Sequence, residues 1–425
     1  MQRIRTRFPK PQGCAMHYFS RLILLPALLL ATALPASAAP PTAGETASTG
    51  VDLASVVDTA LQRHPAYQTL AAADDEANAL DRRARSLVSD QPSLSLHLQD
   101  DRLASDTGFR EWEAGVDMPL WRPGQRRAAR DLGDSARDEA VLRHRTLSLQ
   151  VAGEVREAAW TLAIARNRAR LAEQELATAR ELEGQVQTLL ERGDVPRTDL
   201  LMAREETLQR EAAFHAAHTE AHHALVAWQA LTGMADLPDR LAETRATGEL
   251  QASPLLAEAQ ALAARALAEQ ALVREQAGGA PVLTVGGRSE DDGFGQTRDS
   301  LGVGLSIPLG LKSHRGPAEA AAARQLAAAQ AERDRQHRQL SLAVAEAEEA
   351  ITMSTQTLAI ARARHELAAE NLSLARKAYT LGETGLSDLL RVQTRAFTAE
   401  RDAVLRELER DRAIARYNQA LGVAP

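Results

Sequence analysis

Residues 192–201 (RGDVPRTDLL) and residues 381–390 (LGETGLSDLL) are two copies of one motif, and they decide how the chain is organised. A second pair, residues 115–121 (GVDMPLW) and residues 304–310 (GLSIPLG), has the same separation of 189 residues. Single residues keep this offset as well: Pro92 with Pro281, Pro119 with Pro308, Gly193 with Gly382, Asp199 with Asp388, and Gly233 with Gly422. A constant offset over most of a chain indicates an internal duplication.

The duplication predicts two repeats, at residues 51–235 and 241–425, joined by a short link at residues 236–240. In each repeat the order of predicted elements is a helix, two strands, a long helix and a further helix. The helix breaks fall at the duplicated motif, where glycine and proline interrupt a helical pattern.

The predicted strands lie at about residues 93–120 in repeat 1 and about residues 282–308 in repeat 2. Apolar and polar residues alternate there, which is typical of strands with one apolar face. The apolar positions of repeat 1 are Leu94, Leu96, Leu98, Trp112, Ala114, Val116, Met118 and Leu120. A half-buried hairpin of a soluble protein would show the same alternation. Four strands are too few for a useful barrel, but three chains would supply twelve.

The segment from about Arg122 to Arg192 is rich in Ala, Leu, Glu and Arg, which are strong helix formers. About 70 residues at ~1.5 Å each give a rod of roughly 105 Å. The helix predicted before the strands, at about residues 51–89, and the helix after the break together have nearly the same length. We therefore expect the two shorter helices to lie end to end along the long one.

The first 38 residues predict a signal peptide, with a basic leader, an apolar run at residues 22–34 and a cleavage site at residues 36–38. Pro26 and the shortness of the run argue against a membrane anchor. Met16 is an alternative start. Residues 39–50 are predicted to form a linker. Cys14, the one cysteine of the sequence, precedes the apolar run and so cannot be a lipid-acceptor cysteine.

Composition excludes several classes of protein. The formal charge of the 425 residues is −7, and loss of a basic signal peptide makes the remainder more acidic, which argues against nucleic acid as a partner. After residue 40 there is no apolar run of transmembrane-helix length, so only a closed barrel would allow the mature chain to span a membrane. No GxSxG, Walker A, HExxH or Cys/His cluster is present, so we predict neither an enzyme nor a cofactor.

These features together resemble the TolC-type outer-membrane efflux proteins. The resemblance rests on the duplicated plan, the two helix breaks and the strand-to-helix corners at residues 118–126 (MPLWRPGQR) and 307–316 (IPLGLKSHRG). It implies a mainly α fold with a small β-barrel portion. In such a homotrimer, twelve strands would form one barrel in the outer membrane of a Gram-negative bacterium, and twelve helices would form a periplasmic tunnel. The length and compactness of the chain favour one branch of this family, the CzcC-like proteins, which serve heavy-metal efflux.

The function implied by the resemblance is that of a passive exit duct for metal ions or drugs. An inner-membrane pump would drive export through a periplasmic adaptor protein, while the barrel would contact outer-membrane lipid. The alternative is a soluble periplasmic coiled-coil protein, such as an adaptor. The full internal duplication and the strands with an apolar face favour the channel.

The resemblance also assigns roles to the helix breaks. Asp388 matches an aspartate that lines the narrow periplasmic entrance in the family, Arg391 stands where a second acid is common, and Asp199 is the repeat-1 equivalent. We predict these three as the gate. A surface for the adaptor is predicted at Gly193, Val195, Pro196, Gly382, Gly385 and Leu386. If the resemblance is set aside, the alternative is that these residues form a helical hairpin and have no further role.

Two further groups are weaker candidates. Trp112 and Trp121 bracket the second predicted strand, as aromatic residues do at a membrane interface, although a hydrophobic strand cap is the alternative. Four histidines, His215, His218, His222 and His223, are spaced so that imidazoles on one side of a helix could bind a divalent metal. Surface or packing histidines are the more frequent explanation.

Overall fold

The computed structural model describes residues 51–103, 108–292 and 294–425. The predicted signal peptide and the linker that follows it lie outside these described residues. The described helices are α1 Leu53–Arg63, α2 Tyr67–Arg85, α3 Gln125–Arg192, α4 Arg197–Thr232, α5 Pro254–Gln276, α6 Lys312–Thr380 and α7 Leu386–Leu421. The described strands are β1 Ser93–Asp100, β2 Phe109–Pro119, β3 Val282–Asp292 and β4 Thr297–Ser306.

Two very long helices form the frame of the molecule. α3 has 68 residues and α6 has 69, and at ~1.5 Å per residue each is roughly 100 Å long. α3 packs against α2 and α4, and α6 packs against α5 and α7. The predicted fold class, long paired helices with a small four-stranded sheet, is confirmed.

Two predicted boundaries are wrong. The single helix expected at residues 51–89 is two helices, because α1 ends at Arg63 and α2 begins at Tyr67. Pro65 lies between them; it has no N–H for the helical ladder and disfavours helical geometry at the residue before it. The link predicted at residues 236–240 is longer, since the chain is irregular from residue 233 to residue 249.

The four strands form one antiparallel sheet in the order β1-β2-β3-β4. Their register lines up the predicted apolar positions across the sheet, so that Leu94 pairs with Val116, Val116 with Val285, and Val285 with Val303. These side chains are exposed in the chain. Gly286 allows β2 and β3 to approach closely, since a Cβ there would lie 2.6 Å from the carbonyl oxygen of Ala114.

The main apolar core lies where α1 and the end of α4 pack on the middle of α3. It surrounds Trp228, which is fully buried, with Val56, Val151, Val155 and Leu162 at 0% exposure. None of the helices in the described ranges is long and apolar enough to cross a membrane.

Candidate functional site

The first helix break is a glycine-ended turn. α3 ends at Gly193, whose φ of 83° is left-handed and whose N–H donates to the carbonyls of Leu189 and Leu190. Glycine adopts this conformation without steric cost. Pro196 then holds extended backbone before α4 starts. Gly193 and Pro196 are both exposed, as the prediction of a docking surface requires.

The second break has a similar form. The chain turns at Gly382, with a φ of 74°, and α7 begins after Gly385, which is in extended conformation. Both glycines are exposed.

The two breaks pack side by side through an apolar cluster, here called the tip cluster. Its buried members are Leu182, Val186, Leu200, Ala203, Leu386 and Leu389. Leu386, which was predicted to belong to the adaptor surface, has a side chain that is only 1% exposed. Val195 is partly buried against the same cluster. These two residues join the tips, and the exposed surface is formed by the glycines and Pro196.

The structure pairs two of the three predicted gate residues. Arg391 donates to a carboxylate oxygen of Asp388 at 2.8 Å, one turn apart on α7, and both side chains are exposed. An exposed pair of this kind contributes little to stability. The pair matters for the local charge, because it places an acidic and a basic side chain next to each other directly after the second break.

Asp199, the third predicted gate residue, lies near Tyr379 at the end of α6. Burial of the Tyr379 hydroxyl and the negative charge of Asp199 both raise the pKa of Tyr379. No hydrogen-bond partner is found for this buried hydroxyl within the described residues. An electrostatic contact thus connects the start of α4 with the end of α6, across the two repeats.

Arg210 is a buried contact between the repeats that the sequence did not indicate. From α4 it donates to Glu175 of α3 at 2.7 Å and to Thr394 of α7 at 3.3 Å. Its guanidinium lies 5.5 Å from the ring centroid of Phe397. Nothing local distinguishes Arg210 from other helix arginines, because its local partner Glu206 forms an ordinary i,i+4 pair at 2.6 Å. Its partners on the other helices, Glu175 and Thr394, are 35 and 184 residues away.

The two tryptophans differ in their surroundings. Trp112 lies within β2, 57% exposed, on the apolar face of the sheet. Trp121 is partly buried against α2 and α3, and its indole nitrogen donates to the carbonyl of Ser86 at 3.0 Å. Trp121 therefore packs at the strand-to-helix corner, and a membrane-interface role for the two tryptophans stays a prediction.

The four histidines are exposed on α4. The rings of His215 and His218 lie 5.3 and 5.9 Å from the ring of Phe214, which is a packing arrangement. In the ranges that the structure covers, no three His, Cys, Asp or Glu side chains are grouped so that they could hold a metal ion. His215, His218 and His222 therefore stay weak candidates for metal binding.

Comparison with protein families gives a match over both repeats. The sequence pattern of the family described as outer membrane efflux protein matches residues 56–234 and again residues 248–423. The chain belongs to this family. Comparison with curated proteins finds no match.

Several solved structures are similar in fold, and three of them are outer-membrane proteins from different bacteria. The efflux-family chain described here is similar to the outer membrane protein VceC of Vibrio cholerae, with 16% identity, a TM-score of 0.71, and coverage of 88% of this chain and 96% of that one. It is similar to the Neisseria gonorrhoeae MtrE channel in its open state, with 19% identity, a TM-score of 0.69, and coverage of 88% of this chain and 89% of that one. It is also similar to the Campylobacter jejuni CmeC outer membrane channel, with 15% identity, a TM-score of 0.68, and coverage of 87% of this chain and 85% of that one.

Family membership confirms the prediction that the chain is an efflux channel of the outer membrane, with its helical part in the periplasm. The alternative of a soluble periplasmic adaptor is not favoured. The family is one of transport channels and not of enzymes.

Proposed function

We propose that three copies of the chain form the passive exit duct of a tripartite efflux system. The observation that supports this proposal is the position of the sheet and the helix breaks at opposite ends of α3 and α6. An exposed apolar sheet precedes the start of each of these helices, and a helix break lies at the other end, roughly 100 Å away. This separation suits a barrel in the outer membrane and an entrance deep in the periplasm.

The sheet supports assembly into a larger barrel. One of its faces carries Leu94, Leu96, Val303 and Leu305, all at least 60% exposed. An exposed apolar face of this size is unfavourable in water and favourable in lipid. Sheet edges in a bilayer must be paired, and a second and a third copy would pair them.

The helix breaks are the proposed meeting point with a periplasmic adaptor protein, through which an inner-membrane pump delivers the cargo. Gly193, Pro196, Gly382 and Gly385 expose turn backbone there, and the tip cluster fixes the two turns against each other. Cargo choice would lie with the pump. The assignment to a CzcC-like, metal-exporting branch stays a prediction.

Fractionation of cells that express the chain tests the location and the duct together. The protein should stay with the outer membrane after a urea wash, and deletion of its gene should sensitise the cells to the drugs or metals exported. A known peripheral protein serves as the wash control. Release of the chain into the periplasm would contradict the barrel, and unchanged sensitivity would contradict the efflux role.

Asp388, Arg391 and Asp199 are the proposed gate, and the first two should have opposite effects on ion selectivity. Three copies of Asp388 around an axis would concentrate cations, and Arg391 would offset that charge. In planar bilayers, Asp388→Asn should lower the cation-to-anion permeability ratio by roughly tenfold at low salt, and Arg391→Gln should raise it. Arg364→Gln, which removes an exposed pair with Asp402 away from the breaks, is the matched control. Equal selectivity in all three variants would place the gate elsewhere.

A further inference from the structure

The end of the sheet that joins the helices carries a concentration of positive charge, here called the basic collar. The collar consists of the four connections between strands and helices, together with the five adjoining residues of each helix: residues 81–92, 120–129, 272–281 and 307–316. These ranges hold nine basic and three acidic residues, a net charge of +6 in a chain whose formal charge is −7. The collar is thus opposite in sign to the chain as a whole.

Most of this positive charge is not neutralised within the chain. Arg85 pairs with Asp81, and Arg126 donates to the carbonyls of Ala84 and Arg85. Five further basic side chains are exposed and form no salt bridge with any residue that the structure describes: Arg82, Arg83, Arg127, Arg274 and Lys312. An exposed cation without an acidic partner is available to a ligand outside the chain.

The stability of the helices does not account for the collar. A helix dipole favours acidic residues in the first turn. α3 and α6 have none there, and their first four residues instead include Arg126, Arg127, Lys312 and Arg315. The arginines at the ends of α2 and α5 do suit the dipole. The charges at the starts of α3 and α6 oppose it, which indicates a role outside these helices.

The apolar face of the sheet continues into the collar. Beyond β4 the alternation of that strand extends to the start of α6 through Ile307, Leu309 and Leu311, each more than 60% exposed. Lys312 follows directly. In the connection between α2 and β1, Leu87 is 89% exposed. Exposed leucine next to lysine or arginine is typical of a surface that lies at a membrane–water interface.

The opposite end of the sheet has the opposite charge. The two hairpin ends, at residues 99–110 and 290–299, hold three basic and seven acidic residues, a net charge of −4. In the proposed barrel, the collar lies on the periplasmic side, where the helical part is, and the acidic hairpin ends lie on the outer side. The periplasmic leaflet of an outer membrane consists of phospholipids, so these are the headgroups that the collar would meet.

We propose that the basic collar binds the phosphate groups of anionic phospholipids, phosphatidylglycerol and cardiolipin, in the periplasmic leaflet of the outer membrane. The inference rests on the proposed barrel, which places the collar at the level of the headgroups. A guanidinium group can donate two parallel hydrogen bonds to one phosphate. The exposed leucines enter the acyl region beside the arginines, and three copies of the collar surround the barrel. Binding of this kind fixes the depth of the barrel in the membrane.

Lipid retention by the purified full chain tests this proposal. Each protein is extracted in a neutral detergent and mixed with equal amounts of phosphatidylglycerol and phosphatidylethanolamine, and the lipid that stays bound is counted by mass spectrometry. The collar variant replaces the five unpaired cations: Arg82→Gln, Arg83→Gln, Arg127→Gln, Arg274→Gln and Lys312→Gln. The matched control removes the same charge from exposed arginines away from the sheet: Arg145→Gln, Arg240→Gln, Arg338→Gln, Arg395→Gln and Arg401→Gln.

The parent and the matched control should retain phosphatidylglycerol in preference to phosphatidylethanolamine, and the collar variant should lose most of this preference. A preference of about fivefold or more is expected, because each lysine or arginine close to an anionic membrane surface contributes a factor of about five. Added salt should reduce it. Equal preference in the collar variant and the parent, or no preference in the parent, would overturn the proposal.

Two smaller variants serve if the collar variant does not assemble. Arg82→Gln with Arg83→Gln, and Arg127→Gln with Lys312→Gln, should each lower the preference severalfold, and an unchanged preference in both would overturn the proposal. The duct is tested separately by the urea wash. A parent chain that prefers phosphatidylglycerol but is released by urea would contradict the barrel and leave the collar as a lipid-binding surface. A chain that stays in the membrane without lipid preference would contradict the collar alone.

Discussion

Replacement of Arg156 with alanine should lower the free energy of unfolding by about 3–5 kcal/mol, the usual cost of removing one partner from a buried ion pair. Arg156 is 3% exposed in the middle of α3. Its Nε and Nη2 donate to the two carboxylate oxygens of Glu243 at 2.8 and 2.7 Å. Nη1 donates to Gln419 at 2.6 Å and to the carbonyl of Val423 at 3.0 Å.

The large effect is expected because Arg156 holds three parts of the chain together. Glu243 belongs to the irregular segment between the repeats, which also bonds to Asn418 of α7. Without the guanidinium, the mostly buried carboxylate of Glu243 keeps only the donor of Asn418, and the carbonyl of Val423 loses its bond to Arg156. A buried polar group with fewer hydrogen bonds carries a desolvation cost. The irregular segment and the C-terminus should then loosen from α3.

Denaturant unfolding of the detergent-solubilised protein, followed by helical circular dichroism, measures this effect. Arg362→Ala is the matched control, because its pair with Glu407 is exposed at both ends and should contribute less than about 1 kcal/mol. The double variant Arg156→Met with Glu243→Met should recover much of the loss, since a buried pair replaced on both sides leaves no orphaned charge. An Arg156→Ala variant as stable as the control would show that the buried pair does not fasten the segment.

The parts of the fold that depend on periodic patterns could be predicted from the sequence. The alternation at residues 93–120 and 282–308 predicted strands, and the register places those apolar residues in continuous rows. The offset of 189 residues predicted that the second repeat would follow the first in the order of its elements. Patterns of this kind report which face of an element is apolar, and this is what packing uses.

Contacts between residues far apart in the chain could not be predicted in the same way. Arg156 and Arg210 lie in helices where arginine is common, and their partners are set by how α3, α4 and α7 cross. The break motif predicted a turn at Leu386, but not that its side chain would point into the tip cluster. Pro65 was a local signal that the sequence did contain, and it does divide α1 from α2.

Replacement of Trp228 with alanine should destabilise the protein by about 3–5 kcal/mol through lost burial and the cavity left behind. Trp228 is fully buried in the last turns of α4 and joins α1 to the middle of α3. α1 has only 11 residues, and Trp228 is the largest buried side chain in the core that it packs against. It should therefore be the first element to detach when the indole is removed.

Trp228→Phe separates volume from hydrogen bonding at this position. The buried indole nitrogen has no hydrogen-bond partner within the described residues, so the phenyl ring removes an unsatisfied donor while it keeps most of the volume. We expect a loss of only about 1 kcal/mol for Trp228→Phe. Hydrogen exchange of α1 amides, compared between the two variants and the parent, gives the site-specific measurement. Equal protection of α1 in the alanine variant and the parent would show that α1 is held by its other contacts and not by Trp228.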